Sequence, residues 1–269
     1  MRMPMDQLPF LAGWDEGAIP RLIAHRGDAK QYPENTFLAI ARALQAGACA
    51  VEFDVQVTRD GVPVLCHDDT LRRTAGIEGR LQAMTYAQLT DVSVHEGARL
   101  GETFAPTPIP TLAEIVTLVQ GFPRVTAFVE LKQDRVNERG AEPVVDAVLA
   151  VLQPVLHQCV VISFDEAMLR AARARQSCVI GWVLPQWNEH VCEQAGALAP
   201  AYLFCDQDLL PAAGALWQGP WQWAVYEITS PDTAFSLAQR GVAWIETMAI
   251  ADMLQHPQLR LRACLPATP

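Results

Sequence analysis

Short apolar runs alternate with amphipathic stretches along nearly the whole chain. Residues 21–24 read as a strand ending at His25, and 50–55 as a second strand. Between them, residues 34–46 carry apolar positions at helical spacing (Phe37, Leu38, Ala41, Leu44) and stop at Gly47. From Thr111 the same two patterns take turns. Strands are predicted at 126–131, 160–163, 179–184, 202–205, 223–226 and 243–246. Helices are predicted at 111–119, 141–152, 166–175, 189–196, 209–216 and 233–240. Alternation of this kind means a parallel sheet with crossover helices. Eight such units favour an α/β fold closed into a (β/α)8 TIM barrel, whose active site lies at the C-terminal strand ends.

One apolar run does not fit the alternation. Residues 62–66 read as a strand, but six residues separate them from Val55. A parallel crossover needs about a dozen residues, whereas Asp60-Gly61 is a tight-turn signal. The run is therefore expected to fold back antiparallel on the second strand and to deliver His67 outside the barrel. Residues 68–109 have little period beyond a helical piece at 85–89 and end among Pro106, Pro108 and Pro110. The chain reads as one domain, 1–269, with a small insertion at about 56–109 over the barrel mouth.

Composition narrows the setting. At 269 residues, 51% apolar and 19% charged, the chain can bury a large core. A net charge of −10 argues against nucleic-acid or anionic-membrane partners. An anionic small molecule remains compatible, since a cation and a few basic side chains can reverse the local field. Residues 70–110 hold arginines at 72, 73, 80 and 99 and no strongly apolar run, which speaks against action on a lipid surface. The N-terminus lacks the apolar core of a signal peptide, and no run of about 18 apolar residues could span a bilayer. Seven cysteines are scattered at 49, 66, 159, 178, 192, 205 and 264. They read as unpaired, small buried residues in a reducing cytoplasm.

The chemistry gathers at the strand ends. Glu52 and Asp54, two apart on one strand, share a face. Glu130 on the next barrel strand adds a third carboxylate, giving an oxygen-only set suited to one divalent cation, Mg²⁺ or Ca²⁺, and not to Zn²⁺. Lys132 shares the face of Glu130 and could balance the carboxylates or hold a phosphoryl oxygen. His25 ends the first strand and His67 ends the ribbon, and imidazoles near neutral pKa suit a general acid and base. Arg26, beside His25, suits phosphate clamping. His95, His157, His190 and His256 have no such setting and read as structural. Ser163-Phe164 lacks the glycines of a nucleophile elbow, and no glycine-rich phosphate loop occurs.

Taken together, His25-Arg26-Gly27, Pro33-Glu34-Asn35-Thr36, Glu52-x-Asp54-Val55, Thr58-x-Asp60-Gly61, His67-Asp68, Leu71-x-Arg73-Thr74 and Glu130-Leu131-Lys132 resemble the glycerophosphodiester phosphodiesterase family. Weaker matches at 109–112, 162–165, 223–225 and 241–242 carry the resemblance through most of the chain. It implies a (β/α)8 barrel related to phosphoinositide-specific phospholipase C and a divalent cation held by Glu52, Asp54 and Glu130. His25 and His67 would be the acid–base pair, with Arg26 and Lys132 on the phosphate of a small glycerophosphodiester. The products would be an alcohol and glycerol 3-phosphate. Two departures fall late: Tyr226 stands where the family often has Asn, and Met248 where it often has Asp. Both bear on contacts to the glycerol and the alcohol.

Overall fold

The structure, a computed structural model, describes residues 19–132 and 140–264. Nine strands follow in chain order: β1 (Arg21–His25), β2 (Ala50–Val57), β3 (Pro63–Leu65), β4 (Thr126–Leu131), β5 (Cys159–Ser163), β6 (Val179–Val183), β7 (Tyr202–Asp206), β8 (Gln222–Tyr226) and β9 (Val242–Thr247). Eight of them pair in parallel. β1 pairs with both β2 and β9, so the sheet closes on itself into the (β/α)8 barrel. The remaining strand, β3, pairs antiparallel with β2, with Val55 opposite Leu65 and Val57 opposite Pro63. Its turn is closed by the Gly61 N–H donating to the Thr58 carbonyl, with Gly61 at a φ of 90°. The ribbon thus forms as the short connection requires.

Helices α1 (Phe37–Ala46), α2 (Leu112–Gln120), α3 (Ala141–Leu152), α4 (Glu166–Arg175), α5 (Glu189–Leu198) and α6 (Pro231–Gln239) pack outside the barrel. Five of the six start at side chains that accept from the first free N–H groups, Thr36, Thr111, Asp165, Asn188 and Ser230, while α3 follows Gly140 without such a cap. Thr111 and Glu114 form the reciprocal capping box. Period-two alternation along the strands separates two cores. Val51, Phe53 and Val55 face the helices. Ile23, Phe128, Val160, Tyr202, Phe204 and Trp244 fill the barrel, where Phe128 meets Tyr202, Phe204 and Trp244 edge-on. This plug closes the barrel below the mouth and leaves the polar side chains of the same faces above it.

Two expectations need correcting. Residues 209–216 are not a helix: a single 3-10 turn, Gln207–Leu209, is followed by irregular chain. Pro211 and Gly214, the latter at a φ of 104°, interrupt any helix there. Nor are all the cysteines unpaired. Cys49 and Cys264 form a disulfide across 215 residues of sequence. The Cys264 N–H also donates to the Gly47 carbonyl, so the C-terminal segment is fastened to the turn between α1 and β2. Cys66, Cys159, Cys178, Cys192 and Cys205 are free.

Between β3 and α2 the chain forms short helices around a small core of its own, made by Val64, Leu71, Leu81, Leu89 and Ile109 among others.

Candidate active site

The loop after β1 is shaped by close packing. Gly27, at a φ of 85°, lies so near α1 that a Cβ there would stand 2.5 Å from the Ala39 carbonyl carbon. Arg26 and Asn35 also take left-handed backbone angles, 56° and 54°. The result is a tight loop folded over the end of β2. From it, the Asn35 amide donates to Asp54 Oδ2 at 2.7 Å, and Asn35 Oδ1 accepts from the Asp54 N–H. The Arg26 N–H donates to Glu52 Oε2 at 3.1 Å. Both carboxylates are therefore oriented by the loop that follows His25.

Glu52, Asp54 and Glu130 converge. Each offers an oxygen within 4.8 Å of the other two, and all three are buried. Lys132 Nζ donates to Glu130 Oε1 at 2.7 Å and is paired with Asp54 Oδ1 at 2.9 Å. Arg26 donates to Glu34 Oε1 at 2.9 Å and sets its Nε 3.2 Å from Asp54 Oδ2. Its guanidinium thus meets carboxylates. Burial and then the Lys132 and Arg26 charges compete over Asp54, and the cations hold its carboxyl well below the ordinary range. Glu52 goes the other way: burial, with Asp54, Glu246 and Glu130 alongside, pushes it well above that range.

Both histidines line the same mouth. Each donates its Nδ1–H to a carboxylate at 2.7 Å, His25 to Glu227 and His67 to Asp68, which leaves Nε2 as the nitrogen for other chemistry. Glu227 Oε1 is held in turn by the Met248 N–H at 2.6 Å. Asp68 is held by Arg73, whose guanidinium also grips Glu34 through two bonds of 2.8 and 2.6 Å. Burial pushes the His25 imidazole below its ordinary value, against the upward pull of Glu227. His25, Arg26, His67, Glu130 and Lys132 line one cavity at the mouth. Phe164, Phe204 and Tyr226 give the same cavity an apolar lining, with Tyr226 beside His25 and Phe164 beside Lys132.

All seven residues anticipated from the sequence thus meet at the C-terminal end of the barrel. Four more belong to the same neighbourhood. Asn35 and Arg73 lie in motifs that drew notice without a role. Glu227 is 202 residues from the histidine it holds, and no local pattern marks it. Glu246 had a signal: it interrupts the apolar run of β9 on the face of Trp244, which period two turns into the barrel. It is buried, and its Oε1 accepts no hydrogen bond.

Four carboxylates, Glu52, Asp54, Glu130 and Glu246, share this buried space with two cations, Arg26 and Lys132. The oxygen-only donors of the first three, the excess negative charge and a Glu52 Oε1 without a hydrogen-bond partner all fit a hard divalent cation.

Together these features define a class: a (β/α)8 barrel with a cation-competent acidic cluster and two carboxylate-held histidines at one mouth. The family is then plain. The model of the glycerophosphoryl diester phosphodiesterase family matches residues 25–245, and the chain belongs to that family. A relative from Mycobacterium tuberculosis is 32% identical over 250 residues, covering 85% of this chain and 89% of its own. The glycerophosphodiester phosphodiesterase of Caldanaerobacter subterraneus is 44% identical over 98 residues. That match covers 36% of this chain and 40% of the relative, so it spans less than half of either. Among solved structures, an Oleispira antarctica phosphodiesterase in complex with the product sn-glycerol-3-phosphate superposes with a TM-score of 0.76 at 25% identity. It covers 88% of this chain and 96% of that one.

Proposed function

We propose that the protein is a metal-dependent phosphodiesterase that hydrolyses glycerophosphodiesters to an alcohol and glycerol 3-phosphate, using His25 and His67 as general acid and base. The observation that carries this reading is that two histidines, each fixed through Nδ1 by a carboxylate, line one cavity together with Glu130 and Lys132. Family membership and the product named for the Oleispira relative support the substrate class.

Glu52, Asp54 and Glu130 would hold the cation, Mg²⁺ or Ca²⁺. When bound it supplies positive charge against the phosphoryl oxygens. Lys132 balances the carboxylates at rest and is close enough to the mouth to share a phosphoryl oxygen. Arg26 acts on the phosphate through its charge and chiefly orients Asp54 and Glu52. One histidine Nε2 takes the proton of the attacking hydroxyl, and the other gives a proton to the departing alkoxide. Attack by the glycerol's own hydroxyl would make a cyclic phosphate, which water then opens with the two histidines exchanging roles. The apolar wall formed by Phe164, Phe204 and Tyr226 receives the carbon skeleton and excludes water from the reacting bonds.

The decisive measurement is hydrolysis of deacylated phospholipid head groups, with release of glycerol 3-phosphate followed before and after chelation. Full activity in chelator, or none on any glycerophosphodiester with metal restored, would sink the proposal.

Among the described residues no helix is long and apolar enough to cross a membrane. The proposed cytoplasmic location requires Cys49 and Cys264 to be thiols there, because paired cysteines belong to oxidising compartments. Thiol counting on acid-quenched cells decides it.

A further inference from the structure

Glu246 has no part in the reaction outlined above, yet it is a carboxylate 3% exposed at the floor of the mouth with an oxygen that accepts no hydrogen bond. Leaving such an atom dry and unpartnered costs free energy. Its neighbours indicate what would satisfy it. His25, Glu52 and Glu246 each offer one ligand atom within 4.8 Å of the other two, and His25 Nε2 lies 3.8 Å from Glu52 Oε2. Two ligands each ~2.1 Å from one ion can stand up to about 4.2 Å apart. The His25–Glu52 separation already meets that limit.

We propose that His25, Glu52 and Glu246 form a second cation site, sharing Glu52 with the Glu52–Asp54–Glu130 cluster and taking an imidazole-preferring divalent ion such as Zn²⁺. Three independent features point there. The donor set is one nitrogen and two carboxylates, which suits Zn²⁺, while the all-oxygen cluster next to it suits Mg²⁺ or Ca²⁺. His25 gives its other ring nitrogen to Glu227 at 2.7 Å, the outer-shell carboxylate that metal-bound histidines ordinarily have, and Met248 fixes Glu227 in turn. Finally, both Glu52 and Glu246 present a buried Oε1 that no protein donor reaches.

An ion in this site occupies His25 Nε2, the atom assigned above to proton transfer. Zn²⁺ would therefore inhibit the Mg²⁺-supported reaction. That consequence rests on the proposed function, whereas the site itself does not.

The test uses the full chain, stripped of metal and resupplied with saturating Mg²⁺, then titrated with Co²⁺ as a visible substitute for Zn²⁺. One equivalent should bind, with an absorption band that saturates at that stoichiometry. Glu246→Gln should weaken this binding at least ~10-fold, and Glu227→Gln by about 10–100-fold, the range for loss of an outer-shell partner. Glu130→Gln, which leaves all three ligands in place, should still take up Co²⁺. Absence of Co²⁺ uptake, or unchanged uptake in Glu246→Gln, would overturn the proposal. If Glu246→Gln fails to fold by circular dichroism, Glu227→Gln carries the same test. Zn²⁺ inhibition is then compared in the parent. Uptake without inhibition would leave the site standing and remove His25 from proton transfer.

Discussion

Arg73 lies in the segment between β3 and α2, yet it holds both halves of the candidate site. Its guanidinium donates to Asp68 at 2.7 and 3.0 Å and to Glu34 at 2.8 and 2.6 Å. Asp68 orients His67, and Glu34 anchors Arg26, which lies 3.2 Å from Asp54. Arg73→Ala should therefore loosen two functional groups that are not neighbours in sequence. Removing one partner from a buried ion pair costs about 3–5 kcal/mol. The Glu34 side chain is only 6% exposed but that of Arg73 is 44% exposed, so solvent screening cuts the figure to roughly 2 kcal/mol. At about 2–4 °C per kcal/mol for a chain of this size, the midpoint of melting should fall by about 4–8 °C.

The pH dependence gives a second check. Burial pushes Glu34 up, but the Arg73 and Arg26 charges outweigh it and hold its carboxyl below the ordinary value. Stability from a depressed carboxyl is present above its unfolded pKa of about 4.3 and is lost as pH falls through the folded value. The difference in melting between parent and Arg73→Ala should thus shrink below about pH 4. In turnover, a catalytic group misplaced by ~1 Å can cost about 10²-fold. Arg73→Ala should lower kcat by up to that factor with KM little changed. Arg73→Lys restores charge without the fork, so it should recover stability more than rate. If Arg73→Ala melted with the parent and kept its kcat, the claim that this residue holds His67 and Arg26 in place would be refuted.

Other outcomes follow from the same contacts. His25→Ala and His67→Ala should each lower kcat on a natural glycerophosphodiester by about 10²–10⁴-fold without adding, while His95→Ala costs little. On a nitrophenyl ester, whose leaving group needs no proton, whichever histidine serves as acid should become dispensable. Asp28 is buried, and burial raises its carboxyl to about 6. Its ionisation between about pH 4 and 6 therefore costs stability, so Asp28→Asn should melt higher than the parent above pH 6 and no higher below pH 4. Breaking the Cys49–Cys264 bond releases a 215-residue closure. Chain entropy sets an upper limit of about 5 kcal/mol on that loss, measurable by denaturant unfolding with and without reductant.

The sequence made the barrel legible because each unit repeats one pattern, and the ribbon legible because six residues cannot hold a crossover. The carboxylates were legible for a related reason: period two fixes the face of Glu52, Asp54 and Glu130 once their strands are known. What stayed hidden depends on closure. Glu227 reaches His25 only because the barrel closes β9 onto β1, which brings the loop after β8 to the end of β1. Cys49 meets Cys264 for the same kind of reason, and spacing along the chain cannot reveal such a partner. The failed helix at 209–216 shows the opposite limit. There the apolar spacing was present, but Pro211 and Gly214 outweighed it locally.

The position of the insertion also has a physical logic. β2 carries two of the three carboxylates of the oxygen cluster, and β3 pairs with its outer end, so His67 leaves the ribbon beside them. A histidine on a long free loop would lose that placement to conformational entropy. Here Gln56 on β2 donates to the carbonyls of Cys66, His67 and Asp68, with the contacts to Cys66 and Asp68 at 3.0 and 2.8 Å. The turn that bears the histidine is thus tied to the strand that bears the carboxylates. Arg73 then locks the same turn to the loop after β1 through Glu34. His25, Glu52 and Asp54 are each held by a partner from a different segment, and Gln56 ties down the turn that bears His67, so these groups are ordered before any ligand arrives. Pre-organised charge of this kind needs no rearrangement at the moment of reaction.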